Sequence, residues 1–229
     1  MFTQQRKLFA AATLWAGILL AASGAAQASL IDRGGGLIYD TDLNVTWLAD
    51  ANYALTSGYD HQDAMDGLMT WSYAMAWADQ LVYGGFSNWR LPTTLQPDSS
   101  CANQYSFGSG GFNCTGSEMG HLFYNELGGM AGNGYNIEIF HNANYSLFSN
   151  LTSDAYWSST TNATFTGYAW QLYFSGGNQY INNKAGAIRA MAVHDGDIGA
   201  GATVPAPAAA WLLGSGLLGL LGVARRNAV

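Results

Sequence analysis

Carboxylates and aromatic rings are the side chains here whose types and spacing could do chemistry. Asp40-Thr41-Asp42-Leu43-Asn44 spaces its acids as the opening of a calcium loop does, offering hard oxygen ligands at alternate positions. As a helix–loop–helix calcium loop it departs twice. Val45 stands where glycine makes the sharp turn, and Ala51 stands where a bidentate glutamate closes the site. A looser calcium site on Asp40 and Asp42 is the metal expectation that survives, with Asp60, Asp63 and Asp66 as a second carboxylate group. Glu118 and His121 are spaced like carboxylate–histidine metal ligands, but matching ligands on other helices are lacking, and a solvated helix face explains them better. The chain has no Gly-x-Ser-x-Gly elbow. Its 15 acids make so many carboxylate pairs that glycoside hydrolysis leaves no specific mark. No catalytic residue is assigned, and no cofactor other than calcium is expected.

The aromatics offer a different chemistry. Trp47, Trp71, Trp77, Trp89, Trp157 and Trp170 and all 13 tyrosines fall between residues 29 and 198. Flat rings can stack on the apolar faces of sugars while tyrosine hydroxyls and amides bond to sugar hydroxyls, yet large rings are also core fillers. Trp71, Trp89 and Trp170 stand in periodic settings that assign them to the core. Tyr173, Gln179, Tyr180, Asn182 and Asn183 sit opposite or beyond the apolar alternation and are the candidate ligand-binding surface.

These residues belong to a folded part framed by two apolar ends. Residues 1–28 read as a signal peptide: Arg6 and Lys7 are the positive start, Leu8 to Ala22 the apolar run, and Ala26-Gln27-Ala28 the cleavage site. Signal peptidase would leave a mature chain beginning near Ser29. Residues 199–207 form a linker and sorting motif, and residues 208–229 a transmembrane helix with the basic end Arg225-Arg226. The uncharged run is about 17 residues, hence about 25 Å of helix, and the arginines would stay on the cytoplasmic side. Setting the two ends aside leaves four cations (Arg33, Arg90, Lys184, Arg189) against 15 acids, a net charge of −11 where the whole chain has −7. Such a domain cannot neutralise phosphates, which excludes nucleic acid as a partner and argues against sulfated polysaccharide. Neutral sugars and divalent cations fit better.

The elements that must position the candidates are short. Leu37-Ile38-Tyr39 and Val45-Thr46-Trp47-Leu48 read as strands around the Asp40–Asn44 turn. Thr70 can cap a helix carrying Trp71, Ala74, Ala78 and Leu81, ended by Gly84-Gly85. Ser117 can cap a second, with Met119, Leu122, Phe123 and Leu127 on one face and Gly128-Gly129 at its end. Residues 170–174 and 179–182 read as a hairpin, and Ile188 to Val193 as a last strand. The order predicts an α+β domain over residues 29–198, an antiparallel sheet with two helices on one side. Cys101 and Cys114, both in the exported part, predict a disulfide closing a loop of about 14 residues. The enclosed Asn103–Gly111 segment has little to pack a core with, so the expectation is a staple on a floppy insertion. Arg90 and Arg189 are expected in structural ion pairs.

Two resemblances rest on these residues. Val204-Pro205-Ala206-Pro207, the apolar run and Arg225-Arg226 resemble a PEP-CTERM sorting signal, with Ala206 where that family has glutamate. The resemblance implies recognition by an exosortase, transient inner-membrane anchoring, and delivery to the surface or exopolysaccharide of a Gram-negative cell. The folded part resembles the Lcl C-terminal domain family, named from the end of a bacterial collagen-like adhesin. Leu37-Ile38-Tyr39-Asp40 with Thr46-Trp47-Leu48, then Asn88-Trp89-Arg90-Leu91-Pro92-Thr93, Tyr156-Trp157-Ser158-Ser159 and the Arg189 segment carry it. In relatives an acidic helix start follows the Trp-Arg-Leu-Pro motif closely; here Glu118 fills that place after the cysteine-bearing insertion. The resemblance implies a C-type-lectin-like fold and a non-enzymatic surface role in adhesion or binding of polysaccharide and other matrix components. A secreted carbohydrate-active enzyme and a passive structural matrix protein are the competing readings.

Overall fold

Three successive glycines with positive φ, Gly34 (76°), Gly35 (61°) and Gly36 (80°), turn the chain back on itself at the start of the computed structural model. Side chains rarely adopt that region, which is why glycine fills the turn. The structure describes residues 29–59 and 66–200. The signal segment, Asp60 and Asp63, and the tail with Val204, Pro205, Pro207, Arg225 and Arg226 lie outside the described residues.

In chain order the elements are strands β1 (Leu30–Gly34), β2 (Leu37–Asp40) and β3 (Val45–Leu48), then helices α1 (Tyr53–Thr56) and α2 (Trp71–Gln80). A hairpin β4 (Asn103–Tyr105) and β5 (Gly108–Gly110) precedes α3 (Glu118–His121), which continues into a π-turn over Leu122–Glu126. A 3-10 turn (Ala143–Leu147) leads to β6 (Ala155–Thr161), β7 (Tyr168–Tyr173), β8 (Asn178–Asn183) and β9 (Val193–Asp195). All strand pairing in the sheets is antiparallel: β1-β2-β3-β9 form one sheet, β6-β7-β8 a second, and β4-β5 a separate ribbon.

Alternation along the strands builds two cores. Ile38 and Trp47 enter one cluster with Met119, Leu122, Phe123 and Phe174, while their neighbours Leu37 and Leu48 enter a second with Ala74, Trp77, Trp89 and Trp157. Successive side chains of a strand point to opposite faces, so the four-stranded sheet is covered on both sides, and every residue of β3 is buried. Helix α2 presents Ala74, Trp77 and Ala78 to the second cluster, as its spacing predicts. It stops at Gln80, with Leu81 already extended, ahead of the predicted glycine stop.

The architecture is mostly sheet with few helices, in keeping with α+β, but it differs from the predicted outline in several places. The strands divide between two sheets and a ribbon. The second helix is one α-turn followed by a π-turn. The last strand begins at Val193, because residues 188–193 pass between the layers: Ile188 bridges Met69, Arg189 bridges Tyr156, and Val193 joins β3. The cysteine insertion is not floppy. Cys101 and Cys114 form the expected disulfide, and the ribbon between them is pinned by paired backbone bonds of Gly111 and Gln179, each 2.8 Å. Buried Asp98 adds bonds from Ser100 N and Gly116 N.

Candidate functional site

The ribbon's tip supplies one wall of an aromatic recess of about 270 Å³ lined by Phe107, Phe165, Tyr168, Tyr180 and Ile181. Tyr105 and Phe107 stack in parallel with centroids 4.9 Å apart and an interplanar angle of 3°. Tyr180 from β8 meets both edge-on, at 5.8 and 5.9 Å. Phe165 lies 5.8 Å from Phe107 and 6.1 Å from Tyr168. Tyr105, Phe165, Tyr168 and Tyr180 are all exposed, at 37%, 47%, 37% and 40%. Scattered apolar side chains on a surface are ordinary; four rings gathered around one concavity, with Tyr105 stacked on one of them, are the kind of patch that marks a binding site.

One buried side chain holds this wall together. Asn162, wholly buried, donates from Nδ2 to the Phe107 carbonyl at 2.7 Å. Its Oδ1 accepts from Thr164 N at 3.1 Å and from Phe165 N at 2.7 Å. A single amide therefore fixes both the ribbon tip and the loop carrying Phe165. No sequence pattern marks Asn162, Phe107 or Phe165. The available signal is an aromatic, Phe107, inside the cysteine loop.

The predicted surface residues separate. Tyr180 lines the aromatic recess. Tyr173 lines a different recess, about 210 Å³, with Phe112, Asn133, Ser175, Gly176 and Asn178. Asn183 is exposed and accepts from Ala185 N at 2.9 Å, while half-buried Asn182 donates to Gln171 Oε1 at 3.2 Å. Gln179 is a correction: it is 1% exposed and donates to the Ser109 carbonyl at 3.1 Å, bracing the ribbon instead of facing solvent. Strand β8 is covered at that position by the insertion, so the alternation that predicts an outward side chain there fails.

Of the predicted calcium residues, Asp40 lies in a buried charge cluster and Asp42 is exposed beside it. Asp40 Oδ1 accepts from Asp42 N and Leu43 N, both at 3.1 Å, and Oδ2 accepts from Trp47 Nε1 at 3.3 Å. The aspartate spacing thus serves a turn capped by a side chain. Asp40, His121 and Glu126 bring one ligand atom each within 4.8 Å of one another. Of this cluster Asp42 reaches the imidazole, 3.8 Å from His121 Nε2. The Asp40 oxygens are engaged by these N–H donors, and Asp42, with its side chain 58% exposed, stands apart, so the pair does not form the open oxygen cage calcium takes. His121 and Glu126 meet at 3.0 Å because the π-turn aligns residues five apart, and Ser29 Oγ donates to the other Glu126 oxygen. Burial works to raise Glu126, but the bonds from His121 and Ser29 hold it below the usual carboxylate range. The bond to Glu126 raises His121 against the effect of burial, and burial raises Asp40. Asp40 and Glu126 are 0% and 2% exposed, which closes this carboxylate pair to a substrate.

Arg90 and Arg189 form the expected ion pairs. Arg90 grips both Glu118 oxygens, Nη1 to Oε2 at 2.8 Å and Nη2 to Oε1 at 2.7 Å, and reaches Asp195 at 2.6 Å. Glu118 Oε2 also accepts from Thr93 N at 2.7 Å, tying the Trp-Arg-Leu-Pro-Thr segment to the start of α3. Arg189 Nε donates to Asp154 at 2.6 Å. Trp89 and Trp170 are buried as predicted, whereas Trp71 is half-buried with Lys184 Nζ 4.1 Å over its ring.

The family model of the Lcl C-terminal domain matches residues 36–194. No curated protein and no solved structure matches the chain.

Proposed function

From the premise that the chain belongs to the Lcl C-terminal domain family, we propose that it is an exported, non-enzymatic protein that binds a neutral glycan of the cell surface or extracellular matrix. The aromatic recess of Phe107, Phe165, Tyr168 and Tyr180 carries this reading. Exposed rings whose faces and edges converge suit the apolar faces of pyranose rings, and the Tyr168 and Tyr180 hydroxyls can bond to sugar hydroxyls. The charge balance points the same way. Arg33, Arg90 and Arg189 are bound to carboxylates, and Lys184 to Thr161 and the Trp71 ring, leaving little to hold sulfate or uronate. The fold we propose at the finer level is C-type-lectin-like. The two ends would supply the route: signal peptidase at Ala28, then exosortase processing of a PEP-CTERM tail beginning at Val204-Pro205-Ala206-Pro207 and ending in a transmembrane run with Arg225-Arg226.

The test is a glycan array together with a pull-down on polysaccharide of the producing cell, with and without calcium. Binding to neutral glycans, lost on Phe165→Ala and Tyr180→Ala, supports the reading. Blank neutral spots beside strong sulfated ones would refute it.

A further inference from the structure

The buried acids beside β1 are short of positive charge. Asp40 and Glu126 are buried, Asp42 lies 3.8 Å from the same imidazole, and His121 is the one basic side chain against them among the described residues. The other cations of residues 29–198 are committed elsewhere: Arg33 to Asp197, Arg90 to Glu118 and Asp195, Arg189 to Asp154, and Lys184 to Thr161 and the Trp71 ring. A buried carboxylate is costly unless an opposite charge or donors offset its lost hydration.

Ser29 stands at this corner in a fixed position. Its Oγ donates to Glu126 Oε2, its carbonyl accepts from Thr41 N at 2.8 Å, and buried Leu30 begins β1 directly after it. A serine nitrogen lies about 3 to 4 Å from its own Oγ, which puts the Ser29 nitrogen within about 6 Å of the Glu126 carboxylate, inside the range where charges couple. In the uncleaved chain that nitrogen is a neutral amide. As a chain terminus it is an α-ammonium, with an ordinary pKa of about 7.7–8.0.

We infer that cleavage between Ala28 and Ser29 supplies the missing counter-charge, the new α-ammonium of Ser29 completing the Glu126–His121–Asp40 cluster. The bond broken is the Ala28–Ser29 peptide, hydrolysed by signal peptidase, with Ala28 taking the carboxylate. The precursor then sets two buried carboxylates against a single imidazole, and the domain reaches full stability only after export. The origin of the new terminus rests on the export reading above.

The full-length chain with its own signal is compared with one carrying Gly-Ser inserted between Ala28 and Ser29, which keeps the cleavage residues but starts the mature chain earlier. Mass spectrometry identifies each mature terminus, and thermal unfolding at neutral pH follows. The chain starting at Ser29 should melt about 2–4 °C higher, and the gap should close when both carry Glu126→Gln. Equal melting, or a gap that survives Glu126→Gln, overturns the inference. A mature terminus elsewhere than Ser29 overturns it as well, without touching glycan binding; a melting gap with no glycan binding removes the proposed ligand alone. A second readout is free of any need for the variant to fold. Acetylation of the α-amine in the native chain should run at least about tenfold slower than in the extended one, and equal rates overturn the inference.

Discussion

Replacing Asn162 with alanine removes no ring from the aromatic recess but takes away what positions two of them. Asn162→Ala deletes one bond to the Phe107 carbonyl and two from the amides of Thr164 and Phe165. At about 1 kcal/mol net per bond the loss would be about 3 kcal/mol; Thr164 and Phe165 lie in an exposed loop whose freed amides can turn to water, so about 2–3 kcal/mol is expected. For a domain of this size that lowers Tm by about 4–12 °C. Binding should suffer separately, since the Phe107 and Phe165 walls no longer hold their spacing, 5.8 Å between centroids. Loss of one well-placed ring contact is worth about 1 kcal/mol, so affinity for a neutral oligosaccharide should fall about five- to tenfold. Isothermal titration at a temperature where the variant is fully folded separates the two effects. Hydrogen exchange should show the Phe165 amide losing protection while the β7–β8 amides keep theirs. Unchanged affinity beside a lowered Tm would refute the claim that Asn162 builds the binding wall. An unchanged Tm would refute the bonding scheme itself.

Arg90→Met leaves Glu118, its side chain 14% exposed, without its bidentate partner, and should cost about 2–4 kcal/mol in urea unfolding. The Asp195 arm, 76% exposed, adds little to that figure. Replacing Cys101 and Cys114 together with serine should cost about 3 kcal/mol by loop entropy and abolish glycan binding with the ribbon tip, as unfolding and titration would show. Gly120→Ala drives a methyl onto the Cys114 carbonyl oxygen and should destabilise by about 1–3 kcal/mol or more, read from the same urea transition. His121 has a folded pKa above its ordinary 6.5, so its stabilisation is complete below that value and disappears as pH climbs through the raised one. The melting gap between the native chain and His121→Gln should therefore narrow as pH rises above 6.5 and through the raised value, and a constant gap would contradict the His121–Glu126 pairing.

What was legible in the sequence was local. Strands β2 and β3 follow from short strand-like runs on either side of the Asp40–Asn44 turn, and helix α2 from helical spacing, because the signals for each lie within its own segment. Strand β6 was missed: Tyr156, Trp157 and Ser158 are buried without interruption, so no period-2 signal separates them from a buried helix turn. Helix α3 failed for another reason. Met119, Leu122 and Phe123 satisfy a helical face equally well in an α-turn and a π-turn, so the spacing does not encode the shift that brings Glu126 to His121 and Ser29. Of the candidate surface residues Tyr180 reached the recess, and Gln179 did not because the insertion covers its strand. The recess itself joins residues 107, 165, 168 and 180 from separate segments, a proximity no spacing along the chain encodes.

The most direct test of the account is calorimetric titration of the mature protein with the producing cell's own neutral polysaccharide, beside the Phe165→Ala/Tyr180→Ala double variant. Saturable binding in the native chain, lost in a double variant that keeps its Tm within about 2 °C, is the predicted result. Equal binding by both chains, or none by the native one, would contradict it.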